Sequence, residues 1–242
     1  MNRVKKAIIM AAGKGERLAP VTFDTPKPLV TVNGVRMIDT IIDGLHANGI
    51  NEIHIVTGYM MERFSELLNK YPDLDLISNQ FYTEYNNISS LYVAREHLKH
   101  GDCMILDGDL VISDNSVLHA EFERSGYNAI WTEEHTDEWL MQLDDEEYVK
   151  SCSRTGGEKG WILFSISRWA KEDARKLGKY LEYEFDHAGN RDLYWDDVAL
   201  FRHPDKFRLG ITPMQRGSVV EIDSYEELVQ ADASYRNYIP KV

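Results

Sequence analysis

The sequence predicts an α/β fold in which a mostly parallel mixed sheet lies between two layers of helices. Strand and helix signals alternate through the first half of the chain, as is typical of βαβ units. The apolar run "KAIIMAA" reads as a buried strand and ends directly at Gly13. The 242 residues, 43% of them hydrophobic, are enough to bury one sizeable core.

Apolar periodicity then assigns the elements of the first half in order. After the first strand, "RMIDTIIDGLHANG" has helical spacing and stops at Gly49. The following elements are a strand at "NEIHIVTG", a helix at "MERFSELLNKY", a strand at "DLDLISN", a helix at "NISSLYVAREHLKHG" and a strand at "DCMILDGDLVI". Ligand sites of such sheets lie beyond the carboxyl ends of the strands, so we expect the site there.

The second half is less regular, and its elements are assigned in the same way. The predicted strands are "NAIWTEE", "WLMQLDD", "KGWILFSIS" and "FRLGITP", and the predicted helices are "RWAKEDARKLGKYLEYEF" and "SYEELVQADASYRNY". No linker rich in proline, glycine or serine divides the chain. We therefore predict a single domain over residues 1–242.

Charge and cysteine content exclude several classes of function. The chain has 27 Lys and Arg against 40 Asp and Glu, which gives a net charge of −13. A surface this acidic repels nucleic acids and anionic membranes, so we expect neither as a partner. No apolar run has the length of a membrane span or a signal sequence, and Cys103 and Cys152 suggest no disulfide framework. These features predict a cytoplasmic protein of undetermined oligomeric state.

A glycine turn follows the first strand directly. Gly13 and Gly15 flank Lys14, and glycine allows backbone N–H groups to approach a phosphate closely. The turn is not a P-loop, because an acid and an arginine follow its second glycine, and it lacks the third glycine of a dinucleotide fingerprint. Two further cations are close in sequence: Arg17, and Lys27 held between the prolines of "TPKPL", which fix φ on either side.

Acidic and aromatic residues supply the other candidates. "ILDGDL" places Asp107 and Asp109 at a strand end, and "VVEIDS" places Asp223 after another, where carboxylates suit Mg²⁺ or cap a following turn. "TDEWL" and "RDLYWDD" set Trp139 and Tyr194 beside acids, a combination that selects a quaternary ammonium. The alternative is that these aromatic residues, with Trp195, belong to the core.

The string "AAGKGERLAPVTFDTPKPL" resembles the signature of the nucleotidyltransferases that make NDP-sugars and related activated alcohols. With "GINEIHIVTGY", "YNNISSLY", "DEWL", "DLYWDD" and "EIDS", the chain resembles the bacterial CTP:phosphocholine cytidylyltransferases within that superfamily, from about residue 6 to 235. The resemblance implies a Rossmann-like three-layer nucleotidyltransferase fold. It also implies CTP and phosphocholine as substrates, CDP-choline and pyrophosphate as products, and Mg²⁺ as cofactor.

The resemblance also implies roles for individual positions. It makes Arg17 and Lys27 catalytic through the phosphates, and it makes Asp109 and Asp223 the metal ligands. The implied nucleotide-binding positions are Ala11, Ala12, Gly13, Lys14, Gly15, Asn87, Ser90 and Asp107. The implied acceptor-binding positions are Trp139, Tyr194 and Asp196. Residues 1–125 would then bind the nucleotide and residues 126–242 the acceptor, and helix capping remains an alternative role for Asn87 and Ser90.

Three other functions remain open at this point. A CTP:2-aminoethylphosphonate cytidylyltransferase would also take a small zwitterion, and Asp196 could serve its ammonium group. A sugar-1-phosphate nucleotidyltransferase fits the first 30 residues equally well but fits the aromatic and acidic clusters poorly. A catalytically silent nucleotide-binding module need not keep Lys27, Asp109 and Asp223 together. The segment "DDEEYVKSCSRTGGEKGW" matches the family only loosely and is expected to shape part of the pocket.

Overall fold

The computed structural model describes residues 1–240. The strands, in chain order, are β1 (Asn2–Arg3), β2 (Lys6–Ala11), β3 (Thr31–Val32), β4 (Val35–Arg36), β5 (Glu52–Thr57), β6 (Asp75–Ser78), β7 (Cys103–Asp107), β8 (Leu110–Ile112), β9 (Glu121–Phe122), β10 (Gly126–Thr132), β11 (Leu140–Leu143), β12 (Val149–Ser153), β13 (Gly160–Trp169), β14 (Gly210–Pro213) and β15 (Val219–Glu221). The α-helices are α1 (Met37–Ala47), α2 (Ile88–Val93), α3 (Lys171–Glu182) and α4 (Tyr225–Ala231). Across the described residues, no helix combines the length and the apolar character needed to cross a membrane.

The central sheet is mixed and has a parallel half. Its strand order is β12-β11-β13-β7-β2-β5-β6, and β10 joins through β13 and carries β14. Strands β7, β2, β5 and β6 are parallel to one another, whereas β13 runs antiparallel to β7. Three two-stranded ribbons, β1–β9, β3–β4 and β8–β15, lie outside this sheet.

Helices cover both faces of the central sheet. All six residues of β2 are buried, as expected for a parallel strand with apolar layers on either side. Ile38 and Ile41 of α1 pack in the core on one face, whereas Leu91 of α2 and Leu177 of α3 pack in the core on the other. The predicted fold class, a three-layer α/β fold, is therefore confirmed.

The predicted strand "DCMILDGDLVI" is wrong in one respect, because it forms two strands, β7 and β8. The chain turns at Gly108, whose N–H donates to the carbonyl oxygen of Met10 at 2.9 Å. Strand β8 then leaves the central sheet and pairs with β15. This turn carries Asp109 away from the central sheet and toward the residues of and after β15.

Other predicted elements are present with different bounds or a tighter turn. "MERFSELLNKY" forms a 3₁₀ helix over Met61–Asn69, in which the buried Phe64 and Leu67, three residues apart, lie on one side. The helix predicted from residue 168 begins at Lys171, because the preceding residues belong to β13. Strand β12 was not predicted, because its five residues contain no continuous apolar run and none of them is fully buried. The remaining helical segments, all 3₁₀ or π turns, are Glu16–Leu18, Val21–Phe23, Lys27–Leu29, Arg95–Lys99, Asn115–Leu118, Tyr183–His187, Val198–Arg202, Pro204–Lys206 and Ala233–Tyr235.

Candidate active site

Strand register brings the glycine turn and the acids together at the carboxyl ends of the parallel strands. Met10 near the end of β2 lies opposite Asp107 at the end of β7, so the two following loops leave the sheet side by side. In the β8–β15 ribbon, Leu110 lies opposite Glu221, which sets Asp109 against the residues after β15. The expected position of the site at the carboxyl ends of the strands matches this geometry.

Three carboxylates converge at these strand ends. Oxygen atoms of Asp109, Glu221 and Asp223 all lie within 4.8 Å of one another. Oδ1 of Asp109 is buried and has no hydrogen-bond partner among the described residues. Such a set of oxygen donors fits a hard divalent cation. Glu221 was not predicted, although it precedes Asp223 by two positions in "VVEIDS", a spacing that places both side chains on one face of a strand.

The Lys27 ammonium group lies between two of these carboxylates. Its Nζ donates to Asp109 at 2.7 Å and to Asp223 at 2.8 Å, and the residue is only 8% exposed. Burial alone would lower the pKa of Lys27, but the two carboxylates outweigh it and raise the pKa above its ordinary value. Lys27 therefore carries a fixed positive charge into the centre of the cluster.

Arg17 lies at the mouth of the same cluster. Its guanidinium group is 2.9 Å from Oδ2 of Asp223, and its side chain is largely exposed. Burial tends to raise the pKa of Asp223, but the hydrogen bond and charge of Lys27, with the charge of Arg17, hold the pKa below its usual value. Asp223 is therefore ionised at neutral pH, and the exposed Arg17 side chain lines the open cleft.

The glycine turn packs directly against Lys27. Gly15 has φ 62°, and an added Cβ would lie 2.9 Å from Cβ of Lys27 and 3.1 Å from Cγ2 of Thr22. The Thr22 hydroxyl donates to the Gly15 carbonyl oxygen at 3.0 Å, which fixes the turn. At Gly13, by contrast, an added Cβ would meet no described atom within 4 Å. The absence of a side chain at Gly15 thus allows the turn to pack against Lys27, whereas Gly13 faces open space.

We expect Gly15→Ala to lower both the free energy of unfolding and the turnover number, because the methyl group would push Lys27 away from its carboxylates. The left-handed backbone alone costs about 1–2 kcal/mol for a non-glycine residue. Gly34→Ala is the matched control, since Gly34 has φ 89° and an added Cβ there meets no described atom within 4 Å. Urea unfolding and steady-state rates of both variants test this. A Gly15→Ala enzyme with wild-type turnover would contradict the packing argument.

A cleft of about 520 Å³ opens in front of the glycine turn. The residues that line it are Lys14, Gly15, Glu16, Arg17, Lys27, Tyr82, Thr83 and Asp223. Ala11 and Ala12 lie buried behind the turn, where the Ala12 carbonyl oxygen accepts a hydrogen bond from the Tyr59 backbone at 3.0 Å. The concentration of cations in this cleft suits a polyphosphate, although Tyr82 and Thr83 were not predicted as part of it.

A second pocket of about 310 Å³ adjoins the first. Its lining residues are Arg17, Asn87, Asp107, Asp109, Glu138, Trp139, Leu163, Ser165, Tyr194, Asp196, Glu221 and Asp223. Arg17 and Asp223 line both cavities, so the carboxylate cluster lies at their boundary. This is the arrangement required for a reaction between two bound molecules.

Aromatic rings form one wall of the second pocket. The Trp139 ring lies 5.7 Å from Tyr194 and 5.6 Å from Phe201, both edge-to-face. The Arg154 guanidinium group lies over Trp139 at 5.4 Å and over Phe201 at 4.5 Å, and it is ion-paired with Asp197. These ring faces therefore already accept one cation. Phe201 and Arg154 were not predicted individually, but Arg154 belongs to the loosely matched segment.

Two further acids, Asp196 and Asp107, line the same pocket. Asp196 is 6% exposed, and its Oδ1 has no hydrogen-bond partner among residues 1–240. Burial raises the pKa of Asp196 to about 7, and the charge of Asp197 adds to this effect while the Tyr127 hydroxyl opposes it. Burial also raises the pKa of Asp107 well above its usual value, and the charges of Asp109 and Asp196 act in the same direction. A bound cation would favour the ionised form of these acids.

The remaining candidates have internal partners. Oδ1 of Asn87 accepts a hydrogen bond from the Trp195 backbone at 2.9 Å, which ties the start of α2 to the segment that carries Tyr194 and Asp196. Ser90 is buried, and its hydroxyl accepts from Asn79 at 3.1 Å; in the described part of the chain it lines neither cavity. Trp195 is fully buried and belongs to the core. The individual roles of all these candidates remain predictions.

Comparisons with known proteins place this geometry in a family. Residues 6–138 match the family model described as nucleotidyl transferase. A Lancefieldella rimae protein named 2-aminoethylphosphonate cytidylyltransferase is 38% identical over 95% of this chain and 92% of its own. A Streptococcus pneumoniae choline-phosphate cytidylyltransferase is 32% identical over 96% of this chain and 99% of its own. A solved structure of CTP:phosphocholine cytidylyltransferase from Streptococcus pneumoniae superposes with a TM-score of 0.87 at 32% identity, over 97% of this chain and 100% of that one.

Proposed function

Because this chain belongs to the nucleotidyl transferase family and its full-length relatives are cytidylyltransferases, we propose that it transfers CMP from CTP to phosphocholine. The products are CDP-choline and pyrophosphate. One observation carries the acceptor assignment: Trp139 and Tyr194, whose rings pack edge-to-face, line a pocket that also holds the buried Asp196. Rings and a carboxylate together recognise a quaternary ammonium group. We place the reaction in the cytoplasm, where CTP is available and where free Cys103 and Cys152 are stable.

The reaction is an in-line displacement at the α-phosphorus of CTP. A phosphate oxygen of phosphocholine forms the new P–O bond, and the bond to the β-phosphate breaks with its electron pair leaving on pyrophosphate. A phosphomonoester has its second pKa near about 6, so the attacking oxygen is already anionic at neutral pH and needs no general base. Lys27 neutralises and orients the reacting phosphates, and Arg17 draws charge from the leaving pyrophosphate.

We propose Mg²⁺ as the cofactor, held by Asp109, Glu221 and Asp223. The unpartnered buried oxygen of Asp109 and the all-oxygen donor set support this assignment. Bound there, the ion would neutralise phosphate charge and orient the two substrates. Lys27 places its own charge between two of the ligands. It would therefore bind phosphate beside the ion and compensate the carboxylates in the free protein.

A second acceptor, 2-aminoethylphosphonate, is favoured by the relative that shares 38% identity with this chain. Its ammonium group is primary and carries three N–H donors, so it gains more from hydrogen-bond acceptors than from ring faces. Asp196 and Glu138, both in the second pocket, are the candidate acceptors. The two functions share the same nucleotide chemistry and differ in how much binding energy the aromatic wall supplies.

We expect Trp139→Ala to raise KM for phosphocholine by about tenfold or more while leaving KM for CTP close to wild type. The estimate follows from a desolvated cation–π contact of about 2 kcal/mol. Trp131→Ala is the matched control, because Trp131 is 39% exposed and packs against Trp161 outside both clefts. Steady-state kinetics with each substrate varied in turn measures both constants. An unchanged KM for phosphocholine would remove Trp139 from the acceptor site.

The donor assignment is tested by pyrophosphate release in the presence of Mg²⁺ and phosphocholine. CTP, UTP and dTTP are compared at equal concentration, and ³¹P NMR identifies the product. We expect release with CTP and formation of a CDP-choline diphosphate signal. Tight CTP binding without release of pyrophosphate from CTP would instead indicate a catalytically silent nucleotide-binding module.

A further inference from the structure

A second group of potential metal ligands lies at the amino-terminal ends of the parallel strands, opposite the candidate active site. Glu52 and His54 are near the start of β5, and His97 lies in the 3₁₀ turn Arg95–Lys99. One ligand atom from each of the three side chains lies within 4.8 Å of the other two. Because the candidate active site uses the carboxyl ends of the parallel strands, this amino-terminal cluster is separate from it.

His54 is held as a metal-bound histidine would be. Its Nδ1 lies 2.8 Å from the Asp75 carboxylate, and its Nε2 lies 3.1 Å from Oε1 of Glu52. When Nδ1 donates its proton to Asp75, Nε2 is left with a lone pair that faces a carboxylate oxygen. Two acceptors at this distance require a cation between them, either a proton or a metal ion. A carboxylate that fixes the second ring nitrogen is the usual outer partner of a metal-bound histidine.

His97 favours the metal over the proton. Its ring centroid is only 3.8 Å from that of His54, at an interplanar angle of 40°. His97 brings a further nitrogen donor within 4.8 Å of the ligand atoms of His54 and Glu52. A proton shared by His54 and Glu52 would leave this donor without a partner in the cluster. A divalent ion would satisfy His54, Glu52 and His97 together.

We propose that Glu52, His54 and His97 form a binding site for a borderline transition metal such as Zn²⁺, with Asp75 orienting His54. Zinc bonds of about 2.0–2.2 Å place two ligand atoms about 3 Å apart at octahedral angles and about 3.4 Å apart at tetrahedral angles, and Nε2 of His54 lies 3.1 Å from Glu52. An adjoining cleft of about 520 Å³, lined by Glu52, His97 and His100 among others, provides access and space for a fourth ligand.

The bound metal would join the start of β5 to the turn at residues 95–99, which are distant in sequence. It therefore stabilises the fold and takes no part in nucleotidyl transfer. The Lys6 ammonium group, 3.4 Å from the same Glu52 oxygen, opposes a second cation and keeps the affinity moderate. A ligand that binds only the folded state raises the unfolding temperature as its concentration exceeds Kd.

The test is a Zn²⁺ titration of the metal-free full chain by calorimetry and thermal unfolding, with excess Mg²⁺ present to occupy the catalytic carboxylates. We expect one zinc per chain, a rise in the unfolding temperature, and a tetrahedral or five-coordinate absorption band when Co²⁺ replaces zinc. His97→Ala should weaken zinc binding by about tenfold or more. His187→Ala is the matched control, because His187 is exposed and lies outside the cluster.

Three results would overturn the proposal. The first is zinc binding equally strong in wild type and His97→Ala. The second is zinc binding that Asp109→Asn abolishes, which would assign the ion to the catalytic carboxylates. The third is a His54 ring protonated at both nitrogens by ¹H–¹⁵N NMR and unchanged by zinc. If His97→Ala folds poorly, Glu52→Gln replaces it, because it keeps the side-chain shape and removes the ligand charge.

Discussion

Lys27→Ala is expected to lower kcat by about 100-fold or more, since removal of one preorganised charge at a reacting phosphate typically has an effect of this size. Lys27 is the buried cation of the cleft in front of the glycine turn, and its Nζ lies between Asp109 and Asp223. The substitution also leaves Asp109 without its counter-charge, whereas Asp223 keeps that of Arg17. We therefore expect the residual rate of Lys27→Ala to change more steeply with Mg²⁺ concentration than the rate of the wild type does.

Lys14→Ala is the matched control for this substitution. Lys14 lines the same cleft, but its side chain is exposed and its ion pair with Glu16 is long, at 3.7 Å. It should affect KM for CTP modestly and kcat little, because an exposed charge is well screened. Circular dichroism and the unfolding temperature of both variants verify the fold. Turnover of Lys27→Ala near wild type would exclude its catalytic role.

Asp109→Asn is expected to lower kcat by about 100- to 1,000-fold, the range found when an electrostatic group at a developing charge is removed. The change keeps the shape of the side chain but removes its charge. It weakens the ligand set shared with Glu221 and Asp223, and it removes the shorter of the two carboxylate contacts of Lys27. Metal dependence should show this directly, as a higher Mg²⁺ concentration for half-maximal rate.

Asp205→Asn provides the control for general charge effects. Asp205 pairs with Lys206 on the surface and lines neither cleft in the described residues. Its variant should have wild-type kinetics and the same Mg²⁺ dependence. A wild-type metal dependence for Asp109→Asn would place the metal away from these carboxylates.

Local sequence signals predicted the parts of the fold and site that depend on local structure. The strand before Gly13, the glycine turn that follows it and the stiff "TPKPL" segment follow from residue type and spacing. The acids after β7 and β15 were found because strand ends are visible in the apolar pattern. The assembly of these acids around Lys27 depends on tertiary contacts that local sequence does not show. The family resemblance indicated a shared site, because it assigned Asp109 and Asp223 to the metal and Lys27 to the phosphates.

The missed residues depend on long-range contacts. Glu221 joins the cluster because β15 pairs with β8, more than 100 positions earlier in the chain. Arg154 and Phe201 meet Trp139 only after three distant segments come together. Trp139 and Trp195 have similar sequence surroundings, yet one lines the pocket and the other is fully buried. Burial of a single tryptophan is decided by packing, so local sequence could not separate them.

The most direct test of the acceptor assignment compares kcat/KM for phosphocholine, phosphoethanolamine and 2-aminoethylphosphonate at saturating CTP and Mg²⁺. The first two differ only in methylation of the nitrogen. If the Trp139 wall binds a quaternary ammonium group, phosphocholine should be preferred over phosphoethanolamine by about tenfold or more. It should also be preferred over 2-aminoethylphosphonate. Equal or higher kcat/KM for 2-aminoethylphosphonate would contradict the choline assignment and would make Asp196 the main recognition element for a primary ammonium.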